Sequence, residues 1–210
     1  MAIGRPRIFD LNKALDAALR LFWLHGYEGA SLADLTDAMH ISKPSLYAAF
    51  GSKEGLFRRV VARYNEKYGN YFRDALAQPT ARLVAEKLML AAIRQSTRPG
   101  HPRGCLLVQG ALASSTAADS IRKTLGKYRA GAEAQIRARF ERSIAEGDLG
   151  AEADPGQLAR FVWTVNLGLA VQAAGGAGKK HLAEVVAVAM KCWGDHSHRT
   201  GMSVCVRKAP

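Results

Sequence analysis

Two short stretches of this chain combine residue types and spacings that could do chemistry. In the first, Ser42-Lys43-Pro44-Ser45-Leu46-Tyr47, a serine can cap a helix whose first turn accepts proline, because an N–H there would have no helical acceptor. Lys43, Ser45 and Tyr47 flank an inward Leu46, and an amine, a hydroxyl and a phenol presented together suit base edges and phosphates. Lys53, in the first turn after Ser52, adds a cation where a helix start already favours anions. The alternative is an ordinary three-helix unit, with Tyr47 half-buried and Lys53 merely solvated. In the second stretch, Arg103-Gly104-Cys105, a thiol follows a Pro/Gly-rich turn and opens a helix. A guanidinium and a helix start favour the thiolate, the reactive form in oxidant or electrophile sensing. Burial among Leu106, Leu107 and Val108 opposes ionisation and would leave Cys105 a small apolar core residue.

No catalytic arrangement accompanies either stretch. The sequence has no serine-glycine elbow, no phosphate-cradling glycine loop and no paired carboxylates on one helical face. His101 lies across a proline from Cys105 and has no evident reason to activate it, so an enzyme is not expected. Cysteines 105, 192 and 205 are odd in number and far apart, which predicts reduced thiols rather than a disulfide framework or a metal set. His196 and His198 lack further ligands, and neither a metal nor a cofactor is expected.

The first stretch needs elements to hold it. Ser31 opens a short helix, Asp34 three residues on resembles a reciprocal capping box, and Leu32, Leu35 and Met39 share one face. His40 and Ile41 interrupt, Ser42 caps the next helix with Leu46 and Phe50 inward, and Gly51 ends it. Helix, tight turn and helix with a shared apolar face is a helix-turn-helix pattern. Asp10 can cap an earlier helix with Leu11, Leu15, Ala18 and Phe22 on one face, ended by Gly26.

Net charge is +12 over 210 residues, which invites a nucleic-acid partner, but its distribution weakens that argument. Residues 1–50 balance five Lys/Arg against five Asp/Glu, whereas residues 82–142 hold twelve bases and four acids. An acidic ligand is the competing reading of this middle segment. No apolar run is long enough to span a membrane, and the opening MAIGRPRIF lacks the apolar core of a secretory signal, so a cytoplasmic location is expected.

The rest of the chain reads as helices. From Ser52 one long helix is expected to run to about Ala77, before Pro79. Thr80 then caps a helix with Leu83, Leu88, Leu90 and Ile93 apolar, stopped at Arg98-Pro99-Gly100. A long basic helix follows from Asp119 to about Glu146, with Ile121, Leu125, Tyr128, Ile136, Phe140 and Ile144 inward. Asp154-Pro155 opens a helix apolar nearly all round, and a last one runs from Lys179 to about Trp193. Helices so apolar want a partner, and small residues at Gly168 and Ala170 allow close approach; the alternative is a purely intramolecular core.

Gly4-Arg5-Pro6-Arg7, Phe22-Trp23-Leu24-His25-Gly26-Tyr27, Ser31-Leu32-Ala33-Asp34-Leu35, Ser45-Leu46-Tyr47-Ala48-Ala49-Phe50 and Lys53-Glu54-Gly55-Leu56-Phe57 together resemble the DNA-binding domain of the tetracycline-repressor (TetR) family of bacterial transcription regulators. The match covers roughly a third of the chain, and Arg103-Gly104-Cys105-Leu106-Leu107 adds one more particular element. The resemblance implies an all-α fold of about nine helices: a helix-turn-helix domain at 1–64, a ligand-binding and dimerisation domain at 65–195, and a tail at 196–210. It implies a repressor on a near-palindromic double-stranded operator, contacted by Arg5, Arg7, Ser31, Ser42, Lys43, Pro44, Ser45, Tyr47 and Lys53. It further implies a homodimer through Phe161, Val165, Gly168, Leu169, Gln172, Val185 and Ala189, and a cavity for an unknown small-molecule effector. Polar or aromatic interruptions of apolar faces, Gln109, Tyr128, Trp163, Asn166 and Gln172, are candidates to line that cavity, with Cys105. The alternative function is a helical small-molecule or thiol-based sensor whose DNA reader no longer works.

Overall fold

The computed structural model describes residues 9–109 and 118–193, which contain ten α-helices and no strand. Arg5, Arg7, His196, His198, Cys205 and the expected tail lie outside the described residues, as does the side chain of Cys192.

Helix α1 (Leu11–Gly29) starts where the Asp10 carboxylate accepts the Asn12 and Lys13 N–H groups, and it breaks at Gly26, whose φ of +70° suits glycine. Helix α2 (Leu32–Met39) carries the full capping box: Ser31 Oγ accepts the Asp34 N–H while the Asp34 carboxylate accepts the Ser31 N–H. Its chain reversal puts His40 in the left-handed region at φ 53°. Helix α3 (Lys43–Phe50) follows, capped by Ser42, and Gly51 at φ +75° turns the chain into α4 (Lys53–Tyr68), capped by Ser52. Leu15, Phe22, Trp23, Leu35, Leu46, Phe57 and Val61 form the core these helices share.

The long fourth helix does not reach Ala77. It stops at Tyr68, and α5 (Asn70–Leu76) continues at a bend on Gly69. A Cβ at position 69 would lie 2.4 Å from the Asn65 carbonyl oxygen, so the bend needs a residue without one. Periodicity alone could not show this, because the apolar face carries on across the bend.

Helix α6 (Ala81–Ser96) is capped by Thr80 as expected, but Leu83 is exposed and Val84, Ala85, Leu88 and Met89 take the core positions. The set 84, 85, 88, 89 keeps the three-and-four step of one helical face, which 83, 88, 90 does not. The Pro/Gly turn delivers Gly104 against the end of α9 (Pro155–Ala174), where an added Cβ would sit 2.8 Å from Ala174 Cβ. Helices α7 (Leu106–Gln109), α8 (Asp119–Ala145) and α10 (Lys179–Cys192) complete the chain, with α9 packed on both α6 and α8. Leu88, Met89, Phe140, Val162, Leu169 and Trp193 centre this second core. Tyr128, expected inward on α8, is instead exposed, and Ile144 is only partly covered. No described helix is long and apolar enough to cross a membrane.

One buried cation holds the α5–α6 turn. Arg139 of α8 is only 5% exposed. Its guanidinium donates to the Leu76, Gln78 and Pro79 carbonyl oxygens at 3.1, 2.7 and 3.1 Å and also to Ser143 Oγ. Asp148 accepts the Ala81 N–H at 2.6 Å from the other side. Backbone carbonyls in a turn have no helical partner, so the guanidinium satisfies groups that would otherwise be stranded. Arg139→Met should therefore cost about 2–4 kcal/mol in urea denaturation by orphaning those carbonyls. Arg142→Met, one residue row away and solvent-facing, should change stability little.

Candidate functional site

The helix-turn-helix surface is built from caps. Ser42 Oγ accepts the Ser45 N–H at 3.2 Å and lies 2.9 Å from Ser45 Oγ, so both hydroxyls are engaged at the start of α3. Ser31 is likewise occupied with Asp34. Lys43 and Pro44 are exposed and Tyr47 is 42% exposed, while Leu46 and Phe50 of the same helix are buried. Among the described residues, the polar groups left free at the start of α3 are thus the Lys43 amine and the Tyr47 phenol. Lys53 stands with its amine 4.7 Å above the Tyr27 ring. Partial burial lowers its pKa, and the nearby Glu28 carboxylate acts in the opposite sense.

Helix α4 leads from this surface to the second candidate region, whose walls begin at Tyr64. A cavity of about 730 Å³ opens between α4, α5, α7, α8 and α9. Cys105, Tyr128 and Trp163 line it, whereas Asn166 lines a small adjoining recess that shares Tyr71, Cys105 and Trp163 as walls. Gln109 lines neither. Its amide donates to the Arg103 carbonyl oxygen at 3.3 Å. Gln172 is exposed on α9. The walls that sequence reasoning missed come from Tyr64, Tyr68, Tyr71 and Phe72. Their steps of four, three and one form an aromatic stripe at helical spacing, and that was the available signal.

Cys105 sits at this junction. Tyr64 donates its hydroxyl to Cys105 Sγ at 3.4 Å. Burial pushes the thiol pKa up, and the Tyr64 hydroxyl, the Leu107 and Val108 N–H groups and the Arg129 cation only partly offset it. Arg103, expected to favour the thiolate, points away: its guanidinium donates to the Ala173 and Ala177 carbonyl oxygens at the end of α9. Desolvation outweighs the helix start here, so the thiol is protonated at neutral pH. In a variant keeping Cys105 as its one cysteine, alkylation by iodoacetamide should be slower than for a free thiol at pH 8. Its rate should rise only at higher pH than the free thiol's. A rate equal to or above that of free cysteine would show that the cations prevail.

The face expected to meet a second copy divides. Leu169 and Ala189 are buried inside the protomer, because α6 and α8 already cover that side of α9, and α6 and α9 that side of α10. Phe161, Gly168, Gln172 and Val185 are exposed, Val165 is partly so, and Val171 and Val188 join them, Val188 being 60% exposed.

Residues 14–60 match the family described as bacterial regulatory proteins, tetR family, and residues 79–189 match the tetracyclin repressor-like C-terminal domain. The chain is 33% identical over 199 residues to the HTH-type transcriptional repressor ComR of Escherichia coli K12, covering 90% of this chain and 91% of that one. It is 41% identical over 109 residues to the HTH-type transcriptional repressor BdcR of the same organism, covering 51% of this chain and 55% of that one. Among solved structures, a cysteine mutant of the TetR family transcriptional regulator CifR, complexed with a 26 bp double-strand operator DNA, superposes with a TM-score of 0.87. It is 45% identical and covers 90% of this chain and 100% of that one. With both halves matched in order and a relative aligned along nearly its whole length, the chain belongs to the tetR family of bacterial regulatory proteins.

Proposed function

We propose that this chain is a one-component repressor that binds double-stranded operator DNA as a homodimer and is released by a small-molecule effector. The observation that carries it is the pairing of Lys43 and Tyr47, free and outward at the start of α3, with the sealed Leu46–Phe50 face behind them. A helix presented in this way suits the major groove. The CifR relative is complexed with operator DNA, which supports the same use here. Ser31, Ser42, Pro44 and Ser45 frame the reader, Lys53 supplies a phosphate contact, and Arg5 and Arg7 reach DNA from the N-terminal arm. The functional boundary falls near residue 64, between the reader and the effector-binding part.

The effector reading rests on connectivity. Tyr64 and Tyr68 wall the cavity and also pack edge-on against Trp23 in the reader core, at 5.0 and 5.3 Å between ring centroids. A ligand that repositions these rings acts directly on the seat of α1. It shifts the balance between two arrangements only as far as it favours one of them.

Lys53→Ala should weaken binding to all DNA sequences about equally and lower the salt slope by about one, read by titration at several salt concentrations. Lys43→Ala should instead change the preference among operator bases, by about 1–3 kcal/mol at the position it reads. Unchanged affinity and unchanged preference in both variants would sink the assigned surface.

Gly168 offers a clean test of the dimer. An added Cβ there meets nothing within 4 Å in the protomer, and replacing glycine in a helix favours the helix by about 0.5–1 kcal/mol. Gly168→Glu should therefore sediment as a well-folded monomer and lose high-affinity operator binding, since two linked readers gain effective concentration. A monomer that held the full operator normally would contradict the proposal.

A further inference from the structure

We infer that the cavity takes a flat aromatic carboxylate carrying a hydroxyl at the end away from its acid group. This assignment rests on the effector-cavity reading above and narrows it to a ligand class.

Charge at the mouth comes first. Lys127 and Arg129 of α8 both line the cavity, and neither makes an ion pair with a carboxylate among the described residues. Arg129 donates through Nη1 to the Leu107 carbonyl oxygen at 3.2 Å, which fixes the guanidinium while leaving other N–H groups for an anion. Glu66, the acid on the rim, is paired with Arg63 at 3.5 Å. A third cation, Arg73, also lines the mouth and is held by Asn70. The rim is therefore positive, and an anion entering it meets donors without displacing an internal partner.

The body of the cavity is aromatic. Phe72 and Trp163 meet edge to face at 5.9 Å, and Tyr64 and Tyr68 lie 5.1 Å apart. Such walls offer both edges and faces to a flat ring, whose stacking adds to the gain from apolar burial. At the inner end lies the small recess behind Tyr71, Cys105 and Trp163, and polar groups there are unsatisfied. Asn166 is 4% exposed and bonds Tyr71, yet its Oδ1 has no partner among the described residues. Trp163 Nε1 is a buried donor in the same condition. A hydroxyl both donates and accepts, so a phenol at this end complements the two groups in either orientation of the Asn166 amide. Acid at the mouth, ring in the middle and hydroxyl within is the order these residues set.

Three probes separate the contributions: 6-hydroxy-2-naphthoate, 2-naphthoate and 2-naphthol, each titrated calorimetrically into the full chain. The expected order of affinity is hydroxy acid, then acid, then naphthol, with at least a tenfold span from first to last. Arg129→Gln should weaken both acids at least tenfold and leave naphthol unchanged, while Arg129→Lys should restore part of the loss. Lys127→Gln gives the same reading without touching the Leu107 bond, should Arg129→Gln unfold the chain. Asn166→Leu should erase the difference between the hydroxy acid and the plain acid. Naphthol binding as tightly as the acids, or acids indifferent to both cation variants, would overturn the ligand class. An operator-release assay run alongside separates the two claims. Arg129-dependent acid binding that leaves DNA affinity unchanged keeps the ligand class and defeats the effector reading. Release by a neutral compound alone does the reverse.

Discussion

The burial of Trp23 between the reader and the helix that leaves it is the contact on which the rest of the structure depends. The ring is almost wholly enclosed, edge-on to Tyr64 and Tyr68, and it also faces the His101 ring at 6.2 Å. Its indole N–H has no partner among the described residues, so apolar area and ring geometry hold it rather than a hydrogen bond. Polar contacts line the edges of the same seam. Asp16 on α1 accepts from Arg63 at 3.1 Å and Lys67 at 2.5 Å on α4, and Arg20 donates to the Gly100 carbonyl oxygen at 3.2 Å. Partial burial raises the Asp16 carboxyl, but its two cationic partners more than offset this and hold it below the usual carboxylate range. That contribution is present above the ordinary carboxylate pKa and is lost as pH falls through the lowered one.

His101 closes the seam from the loop side. Its Nδ1 lies 3.3 Å from the Tyr68 hydroxyl, and burial together with Arg98, Arg20 and Lys67 lowers its pKa. A neutral imidazole is what this position favours, since a charged one would lose solvation and face three cations. Rings, ion pairs and a neutral histidine thus fasten the C-terminal end of α4 to the reader, and that same end walls the cavity. The link between the two functional regions is short and made of packed side chains.

Much of this was legible in the sequence because it is local. Asp10, Ser31, Ser42, Ser52, Thr80 and Asp154 all cap the helices they precede, and a cap declares itself within three residues. The turn through His40 and the break at Gly26 follow from equally short signals. The bend at Gly69 was hidden because a glycine inside a continuing apolar pattern does not say whether the chain turns there. Leu169 and Ala189 were assigned to a partner because a helix apolar all round does not say which of its faces its own protomer covers. The cavity eluded single-residue reasoning for a related reason. Tyr64, Tyr68 and Tyr71 are each ordinary core residues, and only their placement opposite Arg129 and Trp163 makes a site. Arg129 rather than Arg103 is the cation acting on Cys105, because sequence neighbours need not point at one another.

The reader core draws Leu106, Ile121 and Leu125 from beyond residue 64, and all three are fully buried there. The functional boundary proposed at that residue is therefore not a boundary in cohesion. Cut away from α7 and α8, the DNA-reading helices would leave a wet apolar patch where those three side chains had been. The DNA-reading unit is thus not a cassette that can be moved between proteins by splicing after α4. Heated, the whole chain should melt in one cooperative step, because neither half owns all of its own interior.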